Sequence, residues 1–178
     1  MARYDKEKKR SALNEQALRD LALTYVGRFA TSRARLARYL ERKLAERGWD
    51  GEKSADIEAL VLHFSELGYV DDAGFARMKA GSMERRGLGV RRIGAALRAD
   101  GIGEQDRAEA EEKARAGEWD AADIFARRKR VGPYAQAVAD PKQRERQLGA
   151  FLRAGHRIEV ARAWVEAHPG EFPERSDG

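Results

Sequence analysis

The chain has 178 residues and a formal net charge of +5, with 42% hydrophobic and 37% charged residues. It contains no cysteine, which excludes disulfides, thiol catalysis, zinc fingers and iron–sulfur clusters. No apolar run approaches the ~18 residues of a membrane span, and the N-terminal residues are charged where a signal peptide is apolar. We therefore expect a cytoplasmic protein that does not associate with membranes and is built as one domain or a short array of small ones.

Residues 12–70 predict three helices. The first spans roughly residues 15–29. Thr31 or Ser32 caps the second, which Gly48 ends, and Gly68 ends the third. The apolar faces of these helices are spaced at three and four residues and comprise Leu18, Leu21, Tyr25, Phe29, Leu36, Leu40, Leu44, Ile57, Leu60, Val61 and Phe64.

Residues 71–116 predict three more helices, the first of which begins at the acidic pair Asp71 and Asp72. A loop rich in glycine, at 85–89, precedes a helix whose apolar face holds Ile93 and Leu97. The last helix, near 104–116, is highly charged and has few large apolar residues. The acidic pair is better placed to cap its helix than to bind a metal, because neighbouring side chains diverge.

Residues 117–168 predict a third set of helices. The first carries Trp119 and Phe125, a loop follows around Gly132 and Pro133, and the second spans about 142–154. The last carries Trp164 and ends before the Pro-Gly pair at 169–170. We expect residues 1–11 and 169–178 to be disordered tails, the first of them basic.

Two kinds of marker recur along the chain at nearly one period. The helix-ending glycines Gly48, Gly101 and Gly155 are separated by 53 and 54 residues. Aromatic residues at equivalent helical positions, each 50 residues apart, are Tyr25, Phe75 and Phe125. No segment shows the alternating pattern of a strand. The sequence therefore predicts an all-α protein of three tandem three-helix repeats, at 12–70, 71–116 and 117–168.

Charge changes sign in phase with these repeats. The net charges are +7 for residues 1–48, −6 for 49–75, +6 for 76–98, −6 for 99–126, +7 for 127–162 and −3 for 163–178. Stacked repeats would align the basic second helices into a strip suited to a polyanion or an acidic protein groove. The alternative is that opposite blocks neutralise neighbouring helices and face solvent.

The sequence offers no convincing catalytic site. The glycines at 87, 89 and 94 lack the preceding strand and the Gly-Lys-Ser/Thr of a phosphate loop, although flanking arginines leave a phosphate contact open. We expect the tryptophans to pack in the core, His63 to be partly buried, and His156 to cap a helix. The three histidines are too widely separated to suggest a metal site. Because the sequence shows no catalytic or metal-binding pattern, it favours a binding protein over an enzyme. We also expect no cofactor.

Residues 67–76, Leu-Gly-Tyr-Val-Asp-Asp-Ala-Gly-Phe-Ala, resemble the Gly-Tyr-Leu-Asp-Asp…Phe-Ala motif of the RecX family, regulators of the RecA recombinase. Residues 86–102, with their Arg-Gly…Ile…Leu…Gly-Ile pattern, are similar to the following stretch of that family. Weaker resemblances lie at 22–48 and 148–155. Val70 replaces the usual leucine of the motif.

The resemblance implies that the three repeats form an elongated, curved helical array. It also implies binding in the groove of a RecA filament on single-stranded DNA. The consequence would be inhibition of RecA ATPase, strand exchange and co-protease activity, and so negative modulation of DNA recombination, repair and the SOS response. We expect a monomer, and direct DNA contact is left open. The alternative is a general nucleic-acid-binding helical repeat protein that contacts DNA electrostatically.

Candidate partner-binding residues follow from charge and position, since no motif of the family assigns them. They are the arginines of the predicted basic helices and of the loops beside them. The set is Arg33, Arg35, Arg38, Arg42, Arg85, Arg86, Arg91, Arg92, Arg127, Arg128 and Arg130.

Overall fold

A computed structural model describes residues 11–175, and the all-α prediction is confirmed. Within this range there are nine α-helices, one short 3₁₀ helix and no strand, apart from an isolated bridge between Leu13 and Trp49. None of these helices is long and apolar enough to cross a bilayer. The predicted tail at 1–11 lies outside the described residues except for Ser11, as do the last three residues of the tail at 169–178.

The first three helices are α1 (Glu15–Val26), α2 (Arg33–Arg47) and α3 (Ile57–Glu66). Ser32 rather than Thr31 caps α2, because its hydroxyl accepts the Arg35 amide at 3.2 Å. Gly48 ends α2 with a φ of 78°, as predicted. Helix α1 ends three residues before the expected position, since its backbone turns at Gly27 and leaves Phe29 exposed.

The next three helices are α4 (Asp72–Glu84), α5 (Val90–Ala99) and α6 (Glu104–Ala116). They are followed by α7 (Glu118–Lys129), a 3₁₀ helix (Gly132–Tyr134), α8 (Pro141–Ala154) and α9 (Ile158–Glu166). Only Gly117 separates α6 from α7. Asp140 caps α8 by accepting the Gln143 amide at 2.8 Å.

Three apolar clusters form the core, one for each group of three helices. Leu36, Leu40 and Phe64 lie in the first cluster, and Phe75 and Ile93 lie in the second. The third contains Phe125, Phe151, Val160 and Trp164. The chain divides into two compact units between residues 71 and 72, so the second unit holds both the second and third helix groups. Stacking of three equivalent repeats in a curved array stays a prediction.

The tryptophans pack as expected, but His63 does not. Trp49 and Trp119 are half-buried against the first and third clusters, and Trp164 is a buried member of the third. His63 is exposed, because it lies one residue before Phe64 on α3 and is rotated by about 100° from the buried face. The prediction that His63 is partly buried is wrong.

Residues 169–175 run back over the third helix group. The Gly170 amide donates to the Pro133 carbonyl at 2.9 Å. The rings of Phe172 and Tyr134 are nearly perpendicular, with their centroids 5.6 Å apart. Arg175 forms an ion pair with Asp120. The described part of this segment therefore contacts both α7 and the 3₁₀ helix.

Candidate partner-binding surface

In the second unit, the loop between α4 and α5 meets the turn between α8 and α9. The Gly89 amide donates to the Ala154 carbonyl at 2.9 Å, and the Arg91 amide donates to the Gly155 carbonyl at 3.1 Å. These amides at the start of α5 are therefore already used in holding two helix groups together. A phosphate contact here would have to come from arginine side chains, because these two amides cannot cradle an anion.

Two glycines of this loop are required by the close approach of the backbones. Gly87 is buried with a φ of +72°, and a Cβ there would lie 2.8 Å from the Phe125 nitrogen. A Cβ on Gly89 would lie 2.4 Å from the carbonyl carbon of Gly155. No other residue fits either position without displacing the third helix group. Gly87 and Gly89 therefore serve the packing of the two segments.

His156 lies inside this junction. Its side chain is fully buried, and Nε2 lies 3.1 Å from the Gly87 carbonyl oxygen. The rings of Phe125 and Phe151 lie at 5.5 and 5.3 Å from the imidazole. Burial lowers the pKa of His156, while the hydrogen bond to Gly87 and the charge of Glu118 oppose that shift. Arg157, not His156, occupies the N-cap position of α9.

A buried carboxylate supports the same turn. Glu118 is only 1% exposed and accepts two hydrogen bonds from Arg157, one from its amide at 2.8 Å and one from Nε at 2.6 Å. The sequence analysis missed this residue. The signal was present, because Glu118 lies four and seven residues before Ala122 and Phe125 and so shares their buried face.

Several acidic residues of the second unit are neutralised by arginines on the same helix or on a neighbouring one. Arg98 and Arg107 both reach Glu111, at 3.6 and 3.0 Å. Arg77 on α4 pairs with Glu109 at 3.1 Å. The neutralisation alternative therefore accounts for a large part of the acidic charge on α6.

A different group of arginines makes no ion pair within the described part of the chain. Among the residues that the structure describes, no ion pair is made by the exposed side chains Arg85, Arg86, Arg91, Arg92 and Arg130. Arg128 Nη1 donates to the Arg86 carbonyl at 2.5 Å, which places the end of α7 beside the α4–α5 loop. The fold thus brings candidate arginines from α5, α7 and the α4–α5 loop to one junction.

Arg127 differs from its neighbours, because it is held by other side chains. Its Nη2 donates to the Tyr134 hydroxyl at 3.1 Å and lies 3.5 Å from Asp123 Oδ2. Its guanidinium lies 5.2 Å from the centre of the Tyr134 ring. The hydrogen bond to Tyr134 is the main cause that raises the pKa of Arg127.

The first unit carries the remaining candidates on α2. Arg42 lies 3.6 Å from Glu46 and faces the Tyr39 ring at 5.7 Å. Arg35 is half-buried, whereas Arg33 and Arg38 are exposed, and all three have interaction partners. An open cleft of about 800 Å³ in this unit is lined by none of the candidate arginines.

Comparison with known proteins identifies the family. No protein-family model matches the chain. A regulatory protein RecX from Myxococcus xanthus (strain DK1622) is 34% identical over 160 residues, which cover 85% of this chain and 86% of the relative. The chain belongs to the RecX family. The resemblance stated from the sequence is confirmed.

A solved structure of the same family shares the fold. The crystal structure of RecX from Lactobacillus salivarius matches with a TM-score of 0.61 and 16% identity. The match covers 85% of this chain and 94% of that chain.

The residues that carry the RecX motif are divided between the core and the surface. Val70 is 3% exposed in the first cluster, and Phe75 and Ala76 are buried in the second. Asp72 is buried in the first turn of α4. Leu67 and Tyr69, by contrast, are 57% and 53% exposed. The motif therefore has both a packing part and an exposed part.

Helix α8 carries basic residues that the sequence analysis did not select. Lys142, Arg146 and Arg153 are exposed on it. The signal that could have found them is the basic character predicted for each second helix, since α8 is the second helix of the third group. Within residues 11–175 no cluster of three His, Asp or Glu side chains could hold a metal ion.

Proposed function

We propose that this chain regulates RecA by binding in the groove of its filament on single-stranded DNA. Binding would inhibit RecA ATPase, strand exchange and co-protease activity, and would thereby restrain recombination, DNA repair and the SOS response. Membership of the RecX family supports this proposal. A partner assembled on chromosomal DNA also implies a cytoplasmic protein, and the proposed role is that of a monomer without catalysis.

The observation that carries the proposal is a set of exposed arginines near the junction in the second unit that make no ion pair within residues 11–175. Exposed guanidinium groups bind phosphates and carboxylates well, because their donors match both oxygens of the acceptor. We assign the main contact to Arg85, Arg86, Arg91, Arg92, Arg128 and Arg130. The other members of the proposed set are Arg33, Arg35, Arg38, Arg42 and Arg127.

A filament groove repeats the same acidic and phosphate groups along its length. Several weak contacts made by one protein can therefore add up, because the second contact forms at high effective concentration. This is why the proposal needs no deep pocket and no catalytic group.

The test is RecA ATPase activity on single-stranded DNA, titrated with this protein. A parallel fluorescence anisotropy titration uses the same DNA without RecA. We expect inhibition at concentrations well below those that bind bare DNA. If inhibition follows DNA occupancy instead, the protein competes for DNA and the filament proposal is wrong.

The surface is tested by the double substitution Arg91→Glu and Arg92→Glu. Reversing both charges should weaken inhibition at least tenfold, because two contacts become repulsive, about 1.4 kcal/mol or more. The matched control is Lys113→Glu with Arg115→Glu, which makes the same change of charge on exposed residues of α6. Circular dichroism should show unchanged helicity for both proteins. Equal loss in both would assign the effect to net charge.

A second candidate is a general nucleic-acid-binding helical repeat protein. The same arginine surface favours it, because guanidinium groups contact phosphates irrespective of sequence. This function predicts tight binding to bare DNA and no additional effect of RecA. The anisotropy titration separates the two functions.

A further inference from the structure

We propose that His156 is a proton-sensitive latch that fastens the α4–α5 loop to the α8–α9 turn. In its neutral form it holds the arginines of α5 and of α7 at a fixed spacing. Protonation of the ring would open the junction between the second and third helix groups. Only the last consequence, a change in partner binding, rests on the proposed function.

The latch is built from three contacts between two chain segments. His156 Nε2 donates to the Gly87 carbonyl at 3.1 Å, which requires the neutral ring to carry its proton on Nε2. Beside it, the amides of Gly89 and Arg91 donate to the carbonyls of Ala154 and Gly155. The imidazole is the only side chain of the three contacts, so it is the one that can titrate.

The second ring nitrogen of His156, Nδ1, has no hydrogen-bond acceptor in the described part of the chain for the proton that it would carry in the charged ring. His156 Nδ1 is buried and has no hydrogen-bond partner among the described residues. Phe125 and Phe151 flank the ring. A charged imidazolium would therefore add a buried charged donor without an acceptor, which is unfavourable because nothing compensates the loss of its hydration.

The charged groups around the junction do not favour protonation. Glu118 on α7 attracts a charge on His156, but its oxygens are already occupied by Arg157. Glu84 at the end of α4 is a second acidic residue near the junction, and its carbonyl accepts the Gly87 amide, but only Glu118 acts on the pKa of His156. The described contacts also bring cationic groups close to the junction: Arg86 in the loop, Arg91 and Arg92 on α5, and Arg128 on α7. Helix α8 contributes Phe151 to the ring environment.

The direction of the pH effect follows from linkage. Because burial lowers the pKa of His156 in the folded protein, the unfolded chain binds the proton first as pH falls below about 6.5. The neutral His156 therefore makes its complete contribution to the free energy of unfolding above about pH 6.5. This contribution is lost as the pH falls from there toward the pKa of His156 in the folded protein. From pH 7.5 to 5.5 this single group should raise the unfolding equilibrium constant by up to about tenfold.

Hydrogen exchange tests the latch on the unaltered protein. The protection factors of the Gly89 and Arg91 amides should fall by up to about tenfold between pH 7.5 and 5.5. The Gly48 amide, which donates to Leu44 at the end of α2 in the first unit, serves as the internal control. Unchanged protection at Gly89 and Arg91 would refute the latch.

The assignment to His156 is tested by His156→Gln, which keeps a donor for the Gly87 carbonyl but does not titrate. Unfolding is followed by the fluorescence of Trp119 and Trp164 in a Trp49→Phe background. The variant should lose the acid-dependent part of the unfolding equilibrium, whereas the control His63→Gln, an exposed histidine, should keep it. Equal pH dependence in His156→Gln and the parent protein would overturn the assignment.

The functional consequence is measured last. RecA inhibition by the parent protein and by His156→Gln is compared at pH 7.5 and 6.0, and inhibition by the parent protein should weaken more. The comparison removes the effect of pH on RecA itself, because that effect is the same for both proteins. Equal pH dependence of the two proteins would show that the latch does not position the arginines. Absence of inhibition at every pH would refute the proposed function, while hydrogen exchange would still decide whether the latch exists.

Discussion

At the scale of single residues, the second unit depends on two buried polar side chains in a small space. Glu118 holds the start of α9 through Arg157, and His156 holds the α4–α5 loop through Gly87. Buried polar groups are costly unless their hydrogen bonds are satisfied, so each fixes one arrangement of the chain around it. These residues define the junction more specifically than its apolar contacts do.

Replacing Glu118 should be among the more damaging changes at a charged position. Glu118→Ala removes the acceptor of the Arg157 amide and leaves a cavity, and we expect a loss of about 2–4 kcal/mol in the free energy of unfolding. The measurement is urea denaturation. The control is Glu112→Ala, whose partner Arg115 lies on the same exposed helix face, with a loss below about 1 kcal/mol. Similar losses would contradict the role assigned to Glu118.

At the scale of elements, glycine acts in two different ways. Gly48 and Gly155 end helices, where a positive φ is needed. Gly89 instead allows one backbone to approach another, and its own conformation is an ordinary extended one, with φ −80° and ψ 165°. A sequence pattern shows where glycines are, but it does not separate these two uses.

Gly89→Ala should therefore destabilise the second unit although its backbone angles suit alanine. The added Cβ would meet Gly155 at 2.4 Å, and separating the two segments should cost about 1–3 kcal/mol. The control is Gly81→Ala within α4, where the nearest atom is the mobile end of Arg85 at 3.4 Å. That substitution should stabilise the protein by about 0.5–1 kcal/mol. Thermal unfolding of both variants gives the comparison, and stabilisation by Gly89→Ala would be the contrary result.

At the scale of the whole molecule, charge is sorted into paired and unpaired groups. The acidic residues of α6 are largely matched by neighbouring arginines, whereas one set of exposed arginines near the second unit's junction makes no ion pair among residues 11–175. That set is Arg85, Arg86, Arg91, Arg92, Arg128 and Arg130. The net charge of +5 understates this local excess. Partner binding should therefore depend on ionic strength.

Salt dependence measures how many of these charges contact phosphate. For binding to single-stranded DNA, each phosphate contact contributes about 0.7 to the slope of log affinity against log salt concentration. Arg91→Ala with Arg92→Ala should lower that slope by about 1.4 if both residues contact the backbone. Lys113→Ala with Arg115→Ala on α6 should leave it unchanged. An unaltered slope in the first variant would show that these arginines do not contact DNA.

Local features of the sequence are enough to predict the helical class and most helix positions. Local rules suffice for these, because apolar spacing, caps and glycine stops act within a few residues. They predicted α6 at Glu104–Ala116, the stop at Gly48 and the packing of Trp164. The end of α1 was less well predicted, since the turn at Gly27 competes with an apolar pattern that continues to Phe29.

The contacts that make up the junction of the second unit depend on long-range packing and could not be predicted from local sequence features. His156 and Gly87 are separated by 69 residues, and Glu118 and Arg157 by 39. The same holds for charge, because Arg127 is tethered by Tyr134 while Arg128 reaches the loop at Arg86. Sequence spacing sets which face of a helix a residue occupies, but its partner depends on which distant segment the fold packs against that face.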